Sequence, residues 1–188
     1  MSLDEETDKN FRIALAKGEE SAWYHFHCQY TQRLIRYALV AVKDLNVATD
    51  LVQSVTLNLV RNRERLPQVS DWEAYLFSAL RRELWRYQKQ TIRRNTISAD
   101  YEREWVRASR SGAGGCDSQA KSRIETQESV ELALAKLSDE QREPIELRFF
   151  GELTFQQIAT LLALPIGTVV SRYRSGLAVL RKYLGEEM

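Results

Sequence analysis

Apolar residues recur three and four positions apart along almost the whole of this 188-residue chain, and only three prolines and eight glycines interrupt them. Such spacing lines one face of a helix with 3.6 residues per turn, and nowhere does the alternation of a half-buried strand replace it. The chain is therefore expected to be all-α, with helices near residues 5–17, 20–43, 47–64, 71–91, 124–136, 139–149, 155–162 and 168–184. Three helix starts have the form of a capping box: Ser70-x-x-Glu73, Ser138-x-x-Gln141 and Thr154-x-x-Gln157. In that motif the first side chain accepts from a free backbone N–H and the last reaches back to the first residue's own N–H.

Periodicity fails from Ile97 to Ser122, where the run Ser109-Arg110-Ser111-Gly112-Ala113-Gly114-Gly115 is too small and polar to offset the entropy of ordering it. Two helical modules, 1–95 and 124–188, joined by a flexible linker over 96–123, are the predicted organisation. No run approaches the roughly 18 uninterrupted apolar residues of a membrane span, and Met1-Ser2-Leu3-Asp4-Glu5-Glu6 is acidic where a signal peptide is basic and then apolar. No membrane insertion and a cytoplasmic location are expected, and there Cys28 and Cys116 stay as thiols.

Catalytic chemistry has no foothold: the chain lacks a Gly-rich phosphate loop, a nucleophile elbow and a repeated carboxylate–histidine spacing, so neither enzyme activity nor a cofactor is expected. His25, His27 and Cys28 form the one metal-like group, but a structural zinc takes four ligands; no metal is expected, and His25 and Cys28 read as partly buried in a hairpin core. The formal net charge is only +1, yet phosphate binding depends on local charge. Arg81, Arg82, Arg86, Lys89, Arg93 and Arg94 share their stretch with one acid, Glu83, while Arg172, Arg174, Arg181 and Lys182 share theirs with none.

From Thr154 a short capped helix, a turn at residues 163–167 and a second helix make a helix-turn-helix. Small Ala159 allows the pair to approach closely. In the second helix Val169, Tyr173, Gly176, Leu177, Leu180 and Leu184 form the core stripe, leaving Thr168, Ser171, Arg174, Ser175 and Lys182 opposite, flanked by Arg172 and Arg181. Short hydroxyl residues permit close approach to a groove, and arginines pair with phosphates or fork onto guanine edges.

The runs Leu137-Ser138-Asp139-Glu140-Gln141-Arg142, Leu147-Arg148-Phe149-Phe150 and Pro165-Ile166-Gly167-Thr168-Val169-Val170-Ser171-Arg172 resemble region four of the extracytoplasmic-function sigma factors of bacterial RNA polymerase. Val170 departs from the family's usual lysine, and Pro144 sits inside a helix that it is expected to kink or restart. Phe26, Leu34-Ile35-Arg36-Tyr37-Ala38, the run from Asp50 to Leu59, and Ala74-Tyr75-Leu76-Phe77 resemble region two of the same family.

On the helix near 47–64, Ala48, Leu51, Val52, Val55 and Leu59 make the core stripe and leave Asp50, Gln53, Ser54, Leu57 and Arg61 opposite. The resemblance implies that Asp50, Gln53, Ser54 and Leu57 grip RNA polymerase core. On the helix near 71–91, Leu76, Phe77, Leu80, Leu84 and Tyr87 are buried by the same arithmetic, and Tyr75, Arg82, Trp85, Arg86 and Lys89 face outward. Cations interleaved with rings suit separated strands, because rings stack on unpaired bases. By resemblance this helix reads and melts the minus-10 promoter element, although Arg82 and Arg86 replace the family's asparagine and aspartate and Glu83 an apolar residue. Thr168, Ser171, Arg172, Arg174 and Ser175 would read the minus-35 element. The resemblance also implies promoter DNA as a partner and an anti-sigma factor as a further one. Two other readings compete: a helix-turn-helix regulator that acts without polymerase core, and a helical adaptor that binds protein alone.

Overall fold

The computed structural model describes the backbone of residues 3–102, 134 and 136–185, and the side chains of 7–91, 134 and 136–183. Among the described residues every regular element is helical. The amino-terminal part comprises α1 (Leu3–Lys17), α2 (Glu20–Phe26), a π turn (His27–Thr31), α3 (Gln32–Val42), α4 (Leu45–Arg61), a 3-10 turn (Arg63–Gln68) and α5 (Trp72–Glu102). The carboxy-terminal part comprises α6 (Asp139–Phe149), α7 (Phe155–Leu162) and α8 (Ile166–Gly185). The linker predicted over 96–123 and the helix predicted near 124–136 fall largely outside the described residues. Where they can be compared, α5 continues to Glu102, past the point at which apolar periodicity stops.

The helix expected over 20–43 runs without a break from Glu20 to Val42, with a wider π turn inside it between α2 and α3. By widening the turn there the extra residue holds Phe26, Tyr30, Leu34, Tyr37 and Ala38 on one buried side. Lys43, with φ at 56°, ends α3, and Asp44 starts α4 by accepting from the N–H groups of Asn46 (2.8 Å) and Val47 (3.2 Å). At the start of α5 the predicted capping box is not the device used. Asp71, one residue later than Ser70, accepts from the Ala74 N–H at 2.9 Å, and Glu73 is engaged elsewhere. The other two boxes form: Gln141 Oε1 accepts from the Ser138 N–H at 3.3 Å and Gln157 Oε1 from the Thr154 N–H at 2.8 Å. Pro144 neither restarts nor breaks α6, which runs through it with the ring buried.

The cores of both parts are continuous. Leu147, Leu153, Ile158, Ala159 and Val169 belong to the same buried cluster as Phe26, Leu34, Val55, Trp72, Phe77 and Leu80. Two glycines allow the helices to meet. A Cβ at Gly176 would lie 2.6 Å from Ile145 Cδ1 and 3.3 Å from the Gln141 carbonyl oxygen, so a side chain there would have to displace the end of Ile145 where α8 meets α6. At Gly151, in the turn between α6 and α7, a Cβ would lie 2.6 Å from the Leu147 carbonyl oxygen and 2.9 Å from Phe77 Cε1. Gly151→Ala is therefore expected to lower unfolding free energy by about 1–3 kcal/mol, the usual cost of overpacking, with the loss read from urea denaturation.

Candidate nucleic-acid and partner interfaces

Helix α4 separates its two faces as its periodicity requires. Ala48, Val52, Val55 and Leu59 are buried and Leu51 is half-buried, while Asp50, Gln53, Ser54, Leu57 and Arg61 are all exposed. Leu57 keeps 56% of its surface, and Val60, one turn on and not foreseen from the sequence, is exposed as well. An apolar pair edged by an acid, an amide and a hydroxyl is a surface suited to a protein partner.

Helix α5 brings together four of its five predicted site residues. Trp85 is 62% exposed, with the Lys89 ammonium 4.9 Å from its ring centroid, and Arg82 and Arg86 are exposed on the same side. Arg86 also pairs with Glu83 at 2.7 Å. Tyr75 stands apart from this group. It is half-buried and stacked on Trp72, with ring centroids 6.2 Å apart, because the amino-terminal end of α5 is enclosed by the aromatic cluster of Phe11, Phe26, Tyr30 and Trp72.

On α8 the outward line is Gly167, Ser171, Arg174, Ser175, Ala178 and Lys182, all exposed. Thr168 is half-buried. Arg172 is half-buried too and pairs with Glu140 Oε2 at 3.0 Å, whereas Arg174 enters no ion pair among the described residues. Below this face, Arg148 Nη1 donates to the Leu153 carbonyl at 2.8 Å and its guanidinium lies 5.5 Å from the centre of Phe155, whose ring meets Tyr173 edge-on. The Arg148 side chain thus fixes the turn between α6 and α7, and Phe155 carries the contact on to α8.

Sequence reasoning missed the junction between the two parts. Arg33 donates through Nε (3.1 Å) and Nη2 (2.7 Å) to the Gly151 carbonyl and through Nη1 to Glu73 Oε1 at 2.6 Å. The other Glu73 oxygen accepts from Gln157 Nε2 at 2.6 Å, and Arg36 pairs with Glu152 at 2.7 Å. Beside the junction a cleft of about 720 Å³ opens between α3, α5 and α6. Arg81, Arg82 and Trp85 line one side of it, and Asp139, Glu143 and Glu146 line the other. Arg81 and Glu143 are paired across it.

His25 and Cys28 are exposed, not held in the core as expected; His25 rests its ring edge against Phe11 at 5.4 Å. No group of three metal-ligating side chains occurs among the described residues, and no described helix is long and apolar enough to cross a membrane. Cys116 lies outside the described residues.

Burial pushes the Glu146 carboxyl up to about 7, with Arg142 opposing the shift and Glu143 and Asp139 adding to it. Because folding favours its protonated form, this group's contribution to stability is present below the ordinary carboxylate range and is lost as pH rises through about 7. Glu146→Gln should therefore stabilise the chain at pH 8 by about 2 kcal/mol, allowing for partial exposure, and have little effect at pH 4. Urea unfolding at the two pH values checks this.

Comparison with known proteins places these surfaces in a family. The Sigma-70, region 4 family matches residues 133–182, which include α6, α7 and most of α8. Two short matches, each over 52 residues, span 29% and 26% of the lengths of the relatives concerned. A longer one reaches the ECF RNA polymerase sigma factor SigK of Mycobacterium ulcerans, 31% identical over 179 residues, covering 90% of this chain and 89% of that protein. Among solved structures, CnrH in complex with the cytosolic domain of CnrY shares the fold at a TM-score of 0.65 and 19% identity, over 96% of this chain and 99% of that one. The sigma factor RpoE in complex with the anti-sigma factor NepR from Bartonella quintana shares it at 0.59 and 22% identity, over 87% and 96%. With nearly a third of its residues identical across nine-tenths of its length, the chain belongs to the ECF sigma factors of the sigma-70 family.

Proposed function

We propose that this chain is a non-enzymatic, cytoplasmic subunit that binds RNA polymerase core and directs it to promoter DNA. The observation that carries the reading is the exposed α4 face: Leu57 and Val60 stand in solvent beside Asp50, Gln53 and Ser54, where a self-contained fold has no use for them. On this reading residues 1–95 form the module that holds core and engages the minus-10 element, and residues 124–188 form the module that reads the minus-35 element. Core contacts fall to Asp50, Gln53, Ser54 and Leu57. Separated strands fall to Arg82, Trp85, Arg86 and Lys89, with Tyr75 supporting them from the enclosed end of the helix. Ser171, Arg174 and Ser175 face the upstream element, Thr168 and Arg172 flanking them. An anti-sigma factor is the further partner, and the RpoE–NepR complex is a precedent on the same fold.

Purified chain is expected to form a stable complex with core and to support transcription from a specific promoter. A regulator that acts without polymerase would shift duplex DNA and leave core alone, and that outcome would overturn the proposal. Leu57→Arg should weaken core binding at least tenfold, about 1.4 kcal/mol, with helical circular dichroism unchanged. Arg174→Ala should remove roughly 1–3 kcal/mol of discrimination at one base pair in a competition assay, the worth of a bidentate arginine–guanine contact. A uniform loss on all sequences with a shallower salt dependence would instead assign Arg174 to a phosphate.

A further inference from the structure

The first two turns of α8 carry an apolar pair in the middle of a surface that otherwise suits an anion. Ile166 is 47% exposed, and Val170, one turn on, is half-buried but absent from the side chains packed against the core among the described residues. Between them Gly167 is bare: a Cβ there would meet nothing within 4 Å. Ile166, Gly167 and Val170 form one shallow groove with Ser171, Arg174 and Ser175. No carboxylate occurs on α8 from Ile166 to Tyr183, so the positive charge of Arg174 is not offset on its own helix.

We propose that Ile166 and Val170 select a thymine in the upstream promoter element by enclosing its C5-methyl group. This rests on the reading of α8 as the helix that enters duplex DNA. The major groove edge of a base pair presents donors, acceptors and a single apolar group, the thymine methyl. An apolar pair on a basic, hydroxyl-rich face therefore has one chemically matched occupant there. In a helix-turn-helix the amino-terminal residues of the second helix reach the base edges, and that is where this pair lies.

The geometry also places the thymine. Val170 and Arg174 are one turn apart, about 6 Å along the helix, and base pairs are spaced about 3.4 Å along the duplex. The selected thymine should lie within about two base pairs of the pair read by Arg174. Burial of one methyl group corresponds to about a fourfold change in affinity.

The test uses the chain bound to core polymerase. Its preferred upstream element is first selected from a randomised duplex pool, and each thymine in that element is then replaced singly by deoxyuridine, which lacks only the methyl group. Affinity is expected to fall about fourfold at one or two adjacent thymines and to stay within twofold elsewhere. Val170→Ala should bind the thymine and deoxyuridine duplexes nearly alike. The proposal is overturned if the selected element contains no thymine, if every thymine tolerates deoxyuridine, or if the deoxyuridine penalty is undiminished in both Val170→Ala and Ile166→Ala. A strong element without methyl dependence would leave the pair to a protein partner, with the sigma reading intact. Failure to select any sequence would remove both that reading and this one.

Discussion

The arrangement of the binding faces depends on Arg33. Its side chain is only 12% exposed, so its charge has lost most of its water and must be compensated within the protein. Glu73 supplies the charge and the Gly151 carbonyl two further acceptor contacts. Glu73 in turn holds Gln157, whose other side-chain atom caps α7 at Thr154. Three elements, α3, α5 and α7, are thus fixed by one connected set of hydrogen bonds. Such a network is costly to leave half-satisfied, because loss of one partner strands the charge of the other. The same turn has no room for a side chain at Gly151, where a Cβ would meet the Leu147 carbonyl oxygen and Phe77.

Local features of this architecture were legible in the sequence, and relations between distant segments were not. The α4 stripe, the helix-turn-helix and two capping boxes depend on residues within a turn or two of one another, and a 3.6-residue period reports those directly. At Ser70 two good capping residues lie side by side, and the choice of Asp71 is made by Glu73, which the junction removes from the box. Tyr75 follows the outward side of α5 by angle alone, yet α1 and the π turn enclose that end of the helix, and neither contact has a trace in the local pattern. Arg33 and Gly151 are separated by 118 positions and Glu73 and Gln157 by 84, so no spacing rule could pair them. Proline in α6 is a related case: its cost is one missing intrahelical bond, and α6 runs through it with the ring buried, a burial set by distant segments.

Nearly balanced overall charge becomes intelligible once α6 is seen between the two basic helices. Glu143 pairs with Arg81 of α5 and Glu140 pairs with Arg172 of α8, so α6 neutralises one arginine on each side, the first of these pairs crossing between the two parts. The guanidiniums of Arg82 and Arg174 are left on the outer faces. A chain with a formal net charge of +1 can in this way keep two local cationic surfaces, because acids of α6 pair with Arg81 and Arg172 while Arg82 and Arg174 stay exposed. Both pairs include a well-exposed partner, with Arg81 49% and Glu140 69% exposed, and such bridges contribute only about 0–1 kcal/mol. Their main consequence is therefore positional. Arg172, directed toward Glu140, is turned away from the line through Ser171 and Arg174, which leaves the short hydroxyls of Ser171 and Ser175 and the bare backbone at Gly167 to set how closely α8 can approach a groove. Close approach is what a methyl contact at Ile166 and Val170 requires, since dispersion falls away within an ångström of optimal separation.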